Sequence, residues 1–249
     1  MSLLLVAHGT RKQRGVSLIG DLAAQVSDTL DQPVRVAFVD VLGPTPSELL
    51  GATLDRPTVL VPAFLARGYH VTSDIPAHVE ASGHGDVTVT RPLGPDPQLV
   101  RVLVDRLIES GWRPDDSVIL AAAGTSDPAA MRDLHTTATW LSAMVGSRVE
   151  LAFAATGEPR VAEAVATMRQ RGRSRVVVAS YLLSEGLFQD RLRASGADVV
   201  TDPLGTHPGV ARLIVNRFVR TRGPGRRSAG IAFQQALTRG SPAGMQFRR

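Results

Sequence analysis

Cysteine is absent from this chain of 249 residues. Its absence excludes a disulfide framework, a zinc–thiolate site, an iron–sulfur cluster and a cysteine nucleophile, and it fits a reducing compartment. No apolar run approaches the roughly 18 residues a membrane-spanning helix requires, and no basic segment leads into a signal-type apolar stretch. A cytoplasmic protein with no membrane partner is expected. Glycine-rich fingerprints are missing too. Neither G-x-G-x-x-G after a strand nor G-x-x-x-x-G-K-[ST] occurs, so dinucleotide and nucleoside-triphosphate sites lack their signature. No G-x-S-x-G nucleophile elbow is present either. No organic cofactor is expected.

Aromatic residues make up only 4% of the chain, but 43% is hydrophobic and 20% charged, which is the balance of an ordinary globular protein. The net charge of +5 is unevenly placed. From Arg220 onward there are seven Arg and no acidic residue, which leaves −2 for residues 1–219. The basic character therefore belongs to a Gly-, Ser- and Arg-rich tail, residues 221–249, expected to be flexible and solubilising. No nucleic-acid partner is implied.

What is present is an alternation of short apolar runs with longer amphipathic stretches. "LLLVA" (3–7), "VRVAFV" (34–39), "TVLVPAF" (58–64) and "VTVT" (87–90) predict strands buried on both faces, joined by helices such as "GVSLIGDLAAQVSDTL". Such strands form parallel sheets. The pattern then recurs. "VILAAAGTSD" (118–127) matches "LLVAHGTRKQ", and "VELAFAATGEP" (149–159) matches "VRVAFVDVLGP". "RPLGPDPQLVRVLVDRL" (91–107) matches "DPLGTHPGVARLIVNRF" (202–218) at an offset of 111. The fold class is α/β, with two tandem domains, 1–112 and 113–220, each a four-stranded parallel sheet flanked by helices.

Open parallel sheets bind ligands beyond the carboxyl ends of their strands. In the first half those ends carry His8, Asp40 and His70. Two imidazoles and a carboxylate suit a divalent transition metal, and imidazole also serves as a base near neutrality. The second half is an internal control. Ala123 replaces His8, Ala155 replaces Asp40, and "LSEGLFQD" replaces the His70 region, while the scaffold residues persist. Polar groups that vanish together point to shared function. His78 and His84 are expected on a solvated face, His135 in a helix, and His207 in a helix-start loop. Asp74 reads as a helix cap before Pro76. A histidine-phosphatase-like reading of His8 needs Arg immediately before it to hold phosphate, and that place is Ala7.

"LLLVAHGTR", "VAFVDVLGPTPSELL" and "VPAFLARGYHVTSDIP", in this order and spacing, resemble the CbiX-type sirohydrochlorin chelatases, members of the class II chelatases. The likeness covers about residues 1–220, and the duplication resembles the family's long form, in which two chelatase-like halves are fused. The resemblance implies a lyase that inserts a divalent metal into sirohydrochlorin, a carboxylate-rich tetrapyrrole. The metal is the substrate, Fe2+ preferred and Co2+ the competitor. It implies His8 and His70 as metal ligands, Asp40 as a catalytic residue at the place of the family's Glu, either ligating the metal directly or in an outer or proton-accepting role, and a monomer, because the halves are fused. Arg11, Arg14 and Arg67 adjoin the site in sequence and are assigned the substrate carboxylates. A metal or tetrapyrrole carrier without turnover is the alternative from another class.

Overall fold

The apolar runs form strands close to where the pattern puts them. β1 (Ser2–Ala7), β2 (Val34–Phe38), β3 (Thr58–Pro62) and β4 (Val87–Val89) make one sheet, and β5 (Ser117–Gly124), β6 (Val149–Thr156), β7 (Val176–Tyr181) and β8 (Val199–Val200) make another. The computed structural model describes residues 1–9 and 13–221. Arg11 and the basic tail from residue 222 lie outside the described residues. Both sheets are parallel throughout, in the orders β2-β1-β3-β4 and β6-β5-β7-β8. Their registers correspond: Ser2 pairs with Thr58 in one and Ser117 with Val176 in the other. The repeat in sequence is thus a repeat of topology.

Parallel pairing demands crossovers, and helices supply them. The first half carries α1 (Gln13–Leu30), α2 (Pro46–Gly51), α3 (Ile75–Ala81) and α4 (Pro97–Glu109). The second carries α5 (Pro128–Val145), α6 (Val161–Gln170), α7 (Leu187–Arg193) and α8 (Pro208–Arg220). Several start on a side-chain cap followed by proline. Asp96 accepts the Gln98 N–H ahead of α4, Asp127 accepts the Ala129 N–H ahead of α5, and His207 accepts the Gly209 N–H ahead of α8. None of the helices among the described residues is long and apolar enough to cross a membrane.

Because side chains alternate along a strand, each sheet feeds two cores. Leu4 and Val6 of β1 pack with Leu50 of α2 and Ile75 of α3. Ile119 and Ala121 of β5 pack with Val161, Ala164 and Val165 of α6. The other faces, Leu3, Leu5 and Ala7 of β1 with Val118, Leu120 and Ala122 of β5, belong to one continuous cluster shared by both halves.

That shared cluster is closed by an exchange. α8 packs on α1 and β3 of the first half, α4 packs on α5 and β7 of the second, and the two exchanged helices pack on each other. A reciprocal pair of arginines, 111 residues apart, fastens it. Arg217 of α8, only 5% exposed, donates to the Pro92 and Leu93 carbonyls and to Asp96 Oδ2 at 2.9 Å. Arg106 of α4 donates to the Leu204 carbonyl at 3.2 Å. The two Pro-Leu-Gly segments recognised in the sequence are these acceptors. Burial pushes the Arg217 pKa down, opposed by the Asp96 charge beside it.

Two histidines differ from expectation. His84 is buried rather than solvated: its Nδ1 accepts the Asp86 N–H and its Nε2 donates to the Arg56 carbonyl, because the turn after α3 folds back onto the start of β3. His78 is half-buried, with Nδ1 3.1 Å from Ser47 Oγ.

Arg217→Ala should cost about 3 kcal/mol, since it strands a partly buried Asp96 and two carbonyls. Arg106→Ala removes one neutral acceptor contact and a surface ion pair and should cost about 1 kcal/mol. Urea midpoints of the two variants check the ordering.

Candidate functional site

The first sheet changes connection direction at β1, with β2 on one side and β3 on the other. His8 follows β1 directly. His70 lies eight residues past the end of β3, where it opens a π-helical turn (His70–Asp74) that runs into α3. The two rings meet edge to face with centroids 4.4 Å apart. Separate strand ends therefore bring together the two imidazoles singled out in the sequence.

Each ring has one nitrogen already engaged. His8 Nδ1 donates to the Gly9 carbonyl at 3.0 Å. His70 Nδ1 donates to Asp74 Oδ2 at 2.5 Å. A hydrogen bond at Nδ1 fixes the tautomer and orients the ring, leaving Nε2 as a lone-pair donor. Phe64 stacks on the His70 ring at 5.9 Å and Tyr69 approaches it edge-on at 6.2 Å, which limits its rotation further.

Asp74 corrects the sequence reading. It stands at the start of α3 in helical conformation with no capping hydrogen bond, because the preceding π-helical turn already supplies the backbone pairing. Its carboxylate serves His70 instead. The i,i+4 spacing of the two residues was the available signal, since that spacing puts side chains on one helical face.

Asp40 approaches His8 through its backbone: its N–H donates to the His8 carbonyl at 3.0 Å, while its Oδ1 accepts the Val41 N–H at 2.7 Å. Its side chain is exposed at the rim. Among the described residues no three His, Cys, Asp or Glu side chains cluster as a metal-binding set, so the imidazole pair stands alone as a protein-derived donor set. Val41 takes φ 69°, a left-handed conformation rare for a β-branched residue and typical of strained backbone at functional sites.

Gly9 explains why Gly-Thr recurs in both halves although histidine does not. Its φ is +95°, and a Cβ there would sit 2.1 Å from the Asp40 carbonyl oxygen. Gly124, at φ +114°, would meet the Thr156 carbonyl at 1.9 Å. The glycine is the crossing point of neighbouring strand ends, so it belongs to the scaffold.

Arg14 is exposed near the start of α1. Arg67 turns toward the second half and forms a bidentate pair with Asp133 of α5, with Nη2 2.6 Å from Oδ1 and Nε 2.9 Å from Oδ2. Its side chain remains 54% exposed. Counting from the strand pairs that match the two sheets, Phe188 takes the place of His70 and Leu187 that of Tyr69. Leu187 is 56% exposed and Phe188 39% exposed, an apolar pair where the first half has its imidazole.

The fold and this site define a duplicated, open-sheet α/β protein with a strand-end imidazole pair in one half. The CbiX family model matches residues 2–110 and again 117–221, and the chain belongs to the CbiX family. It is 26% identical over 232 residues to the sirohydrochlorin ferrochelatase of Priestia megaterium, covering 86% of this chain and 87% of the relative. It is 31% identical over 130 residues to the sirohydrochlorin cobaltochelatase of Methanothermobacter thermautotrophicus, covering 43% of this chain and 90% of that one. Among solved structures, SirB from Bacillus subtilis with Fe3+ superposes with a TM-score of 0.77 at 23% identity, covering 94% of this chain and 97% of SirB. That likeness bears on the fold.

Gly9→Ala and Gly124→Ala should each cost about 2 kcal/mol or more, because both add a clash to a forbidden φ. Thermal unfolding of the two variants should show comparable losses, despite only one lying beside imidazoles.

Proposed function

We propose that the protein is a sirohydrochlorin chelatase that inserts Fe2+ into the macrocycle to give sirohaem. The observation that carries this is the His8–His70 pair, edge to face at 4.4 Å, with both Nδ1 atoms engaged and both Nε2 atoms free to donate. Two neutral nitrogens hold a divalent ion without the closed cage that would prevent its release. The names of the relatives supply the substrate class, and the recurrence of the family model across both halves supports the long form of the enzyme.

Metallation replaces two pyrrole N–H protons by one divalent ion, so two protons must leave as the metal enters. In this reading His8 and His70 present the ion from one side of the macrocycle. As the metal–imidazole bonds break, the freed Nε2 lone pairs become proton acceptors. Asp74 keeps His70 oriented throughout. Asp40 at the exposed rim takes protons onward to solvent. The exposed Arg14, with Arg11 and the open side of Arg67, receives peripheral carboxylates of the substrate. Leu187 and Phe188, opposite numbers of Tyr69 and His70, offer the macrocycle an apolar surface. The fused halves support a monomer, and the lack of cysteine suits the reducing cytoplasm.

Cobalt is the second reading, favoured by the cobaltochelatase relative that matches at 31% identity. The ligand set serves either ion.

Purified protein should accelerate the absorption change of sirohydrochlorin with Fe2+ over the uncatalysed rate, and parallel assays with Co2+ rank the metals. His8→Ala and His70→Ala should each lose at least a hundredfold in kcat with the fold intact by circular dichroism. Tight tetrapyrrole binding without acceleration would make the protein a carrier instead. Asp74→Ala should weaken Co2+ binding tenfold or more, the usual size of an outer-shell effect. Phe188→Ser should raise KM for the tetrapyrrole several-fold with kcat nearly unchanged.

A further inference from the structure

We infer that Asp133, supplied by the half that lacks the imidazoles, is a positioning residue for His70, gripping the loop that carries it. The inference rests on the chelatase reading of the site.

Asp133 lies on α5 with its side chain only 3% exposed. Its carboxylate holds the Arg67 guanidinium, and its Oδ2 also accepts the Arg67 backbone N–H at 2.9 Å. The main-chain contact is the informative one, since it fixes the chain itself and not a mobile side-chain tip. Two residues earlier, Tyr181 Oη at the end of β7 donates to the Leu65 carbonyl at 2.9 Å. The second half thus pins the loop at Leu65 and at Arg67, immediately before His70. From there the loop is self-supporting: Gly68 N–H donates to Ala66, and Val71 and Thr72 N–H both donate back to the Gly68 carbonyl. Hydrogen bonding to Asp133 raises the Arg67 pKa above its ordinary value.

The grip is one-sided. The repeat partner of Asp133 in the first half is Leu18, and the partner of Tyr181 is Ala63. Leu18 packs on the shared core and Ala63 is buried within it, so neither can hold a loop of the second half by hydrogen bonds. The partner of Arg67 is Glu185, which pairs with Arg193 of its own half. By contrast, the Arg106 and Arg217 contacts that close the helix exchange occur in both directions. The arginine-to-carbonyl ties of the exchange are reciprocal, whereas this one reaches only the loop with the imidazole. A carboxylate buried in an otherwise apolar interface is costly unless fully paired, and core packing has no use for it at this position.

Asp116 provides a matched control. It is similarly buried, accepts the Arg113 backbone N–H at 2.8 Å and pairs with Arg175 Nη1 at 2.6 Å, but its partners lie around the start of β5, at the opposite end of the strands. The experiment titrates Co2+ into the full-length protein without tetrapyrrole, following the visible d–d absorption, and measures urea midpoints in parallel. Asp133→Ala should weaken Co2+ binding tenfold or more and alter its visible spectrum, with Asp133→Asn intermediate should the alanine variant fold poorly. Asp116→Ala should lower the urea midpoint to a similar degree while leaving Co2+ affinity and spectrum at wild-type values. Wild-type affinity and spectrum in both Asp133 variants would overturn the inference, leaving Asp133 a structural ion pair like Asp116. Wild-type protein whose Co2+ binding is absent, or is unmoved by His8→Ala, would instead bring down the chelatase reading itself.

Discussion

A parallel sheet buried on both sides needs more helical surface than the crossovers on one side can give. In each half of this chain α2 and α3, or α6 and α7, cover one face, and a single long helix, α1 or α5, lies on the other. The remaining cover is borrowed. The last helix of each half crosses to the opposite sheet, and the shared apolar cluster exists only because both exchanges are made. The hold of the second half on the His70 loop depends on that arrangement. It brings the β7 end beside the loop after β3, lets Tyr181 reach Leu65, and places Asp133 within reach of Arg67.

Duplication then allowed the two halves to diverge in chemistry while keeping the same frame. Conserved geometry falls on Gly9 and Gly124, on the Pro-Leu-Gly segments and on the paired arginines, all of which serve strand crossings or the exchange. Divergence falls at the strand ends. Imidazoles occupy one set, Ala123 and Phe188 the other. For the proposed chemistry the half without the imidazoles offers exposed apolar side chains where a flat macrocycle needs contact area, and it holds the loop from which His70 projects. In the proposed reaction, one half handles the ion and the other handles the plane into which it goes.

Much of this is legible in the sequence, for reasons that can be stated residue by residue. The strands show because "LLLVA" and "VVVASY" are apolar on both faces, and the repeat fixes their order. His8 and His70 stand out because the second half lacks them at equivalent places. The role of Asp74 is hidden: an acidic residue just before a proline-containing helix start fits a cap as well as an imidazole partner, and only the π-helical turn separates the two. The burial of His84 is invisible because its partners, Arg56 and Asp86, come from a fold-back with no local pattern. The exchange is hidden for a deeper reason. Repeat matching says which segments are alike, and it is silent about which copy each one covers. Arg67 shares this blindness, as its partner lies 66 residues away in the other repeat.

The exchange also has a consequence in time. During synthesis the first sheet emerges with β1 to β4 and α1 in hand, but the helix that completes its inner face, α8, is the last of the described elements to leave the ribosome. Long-range closure of this kind is slow, since loop entropy is lost before the contacts that repay it form. The usual order, in which an N-terminal domain folds before its neighbour is made, would leave the α1 and β3 surface that α8 covers open to solvent. The inner face of the imidazole-bearing half is fully covered only once residue 220 exists, and its His70 loop is gripped only when α5 and β7 of the second half are in place. The donors of the proposed metal site, which would suit any late first-row ion, are thus set only once the second half is in place.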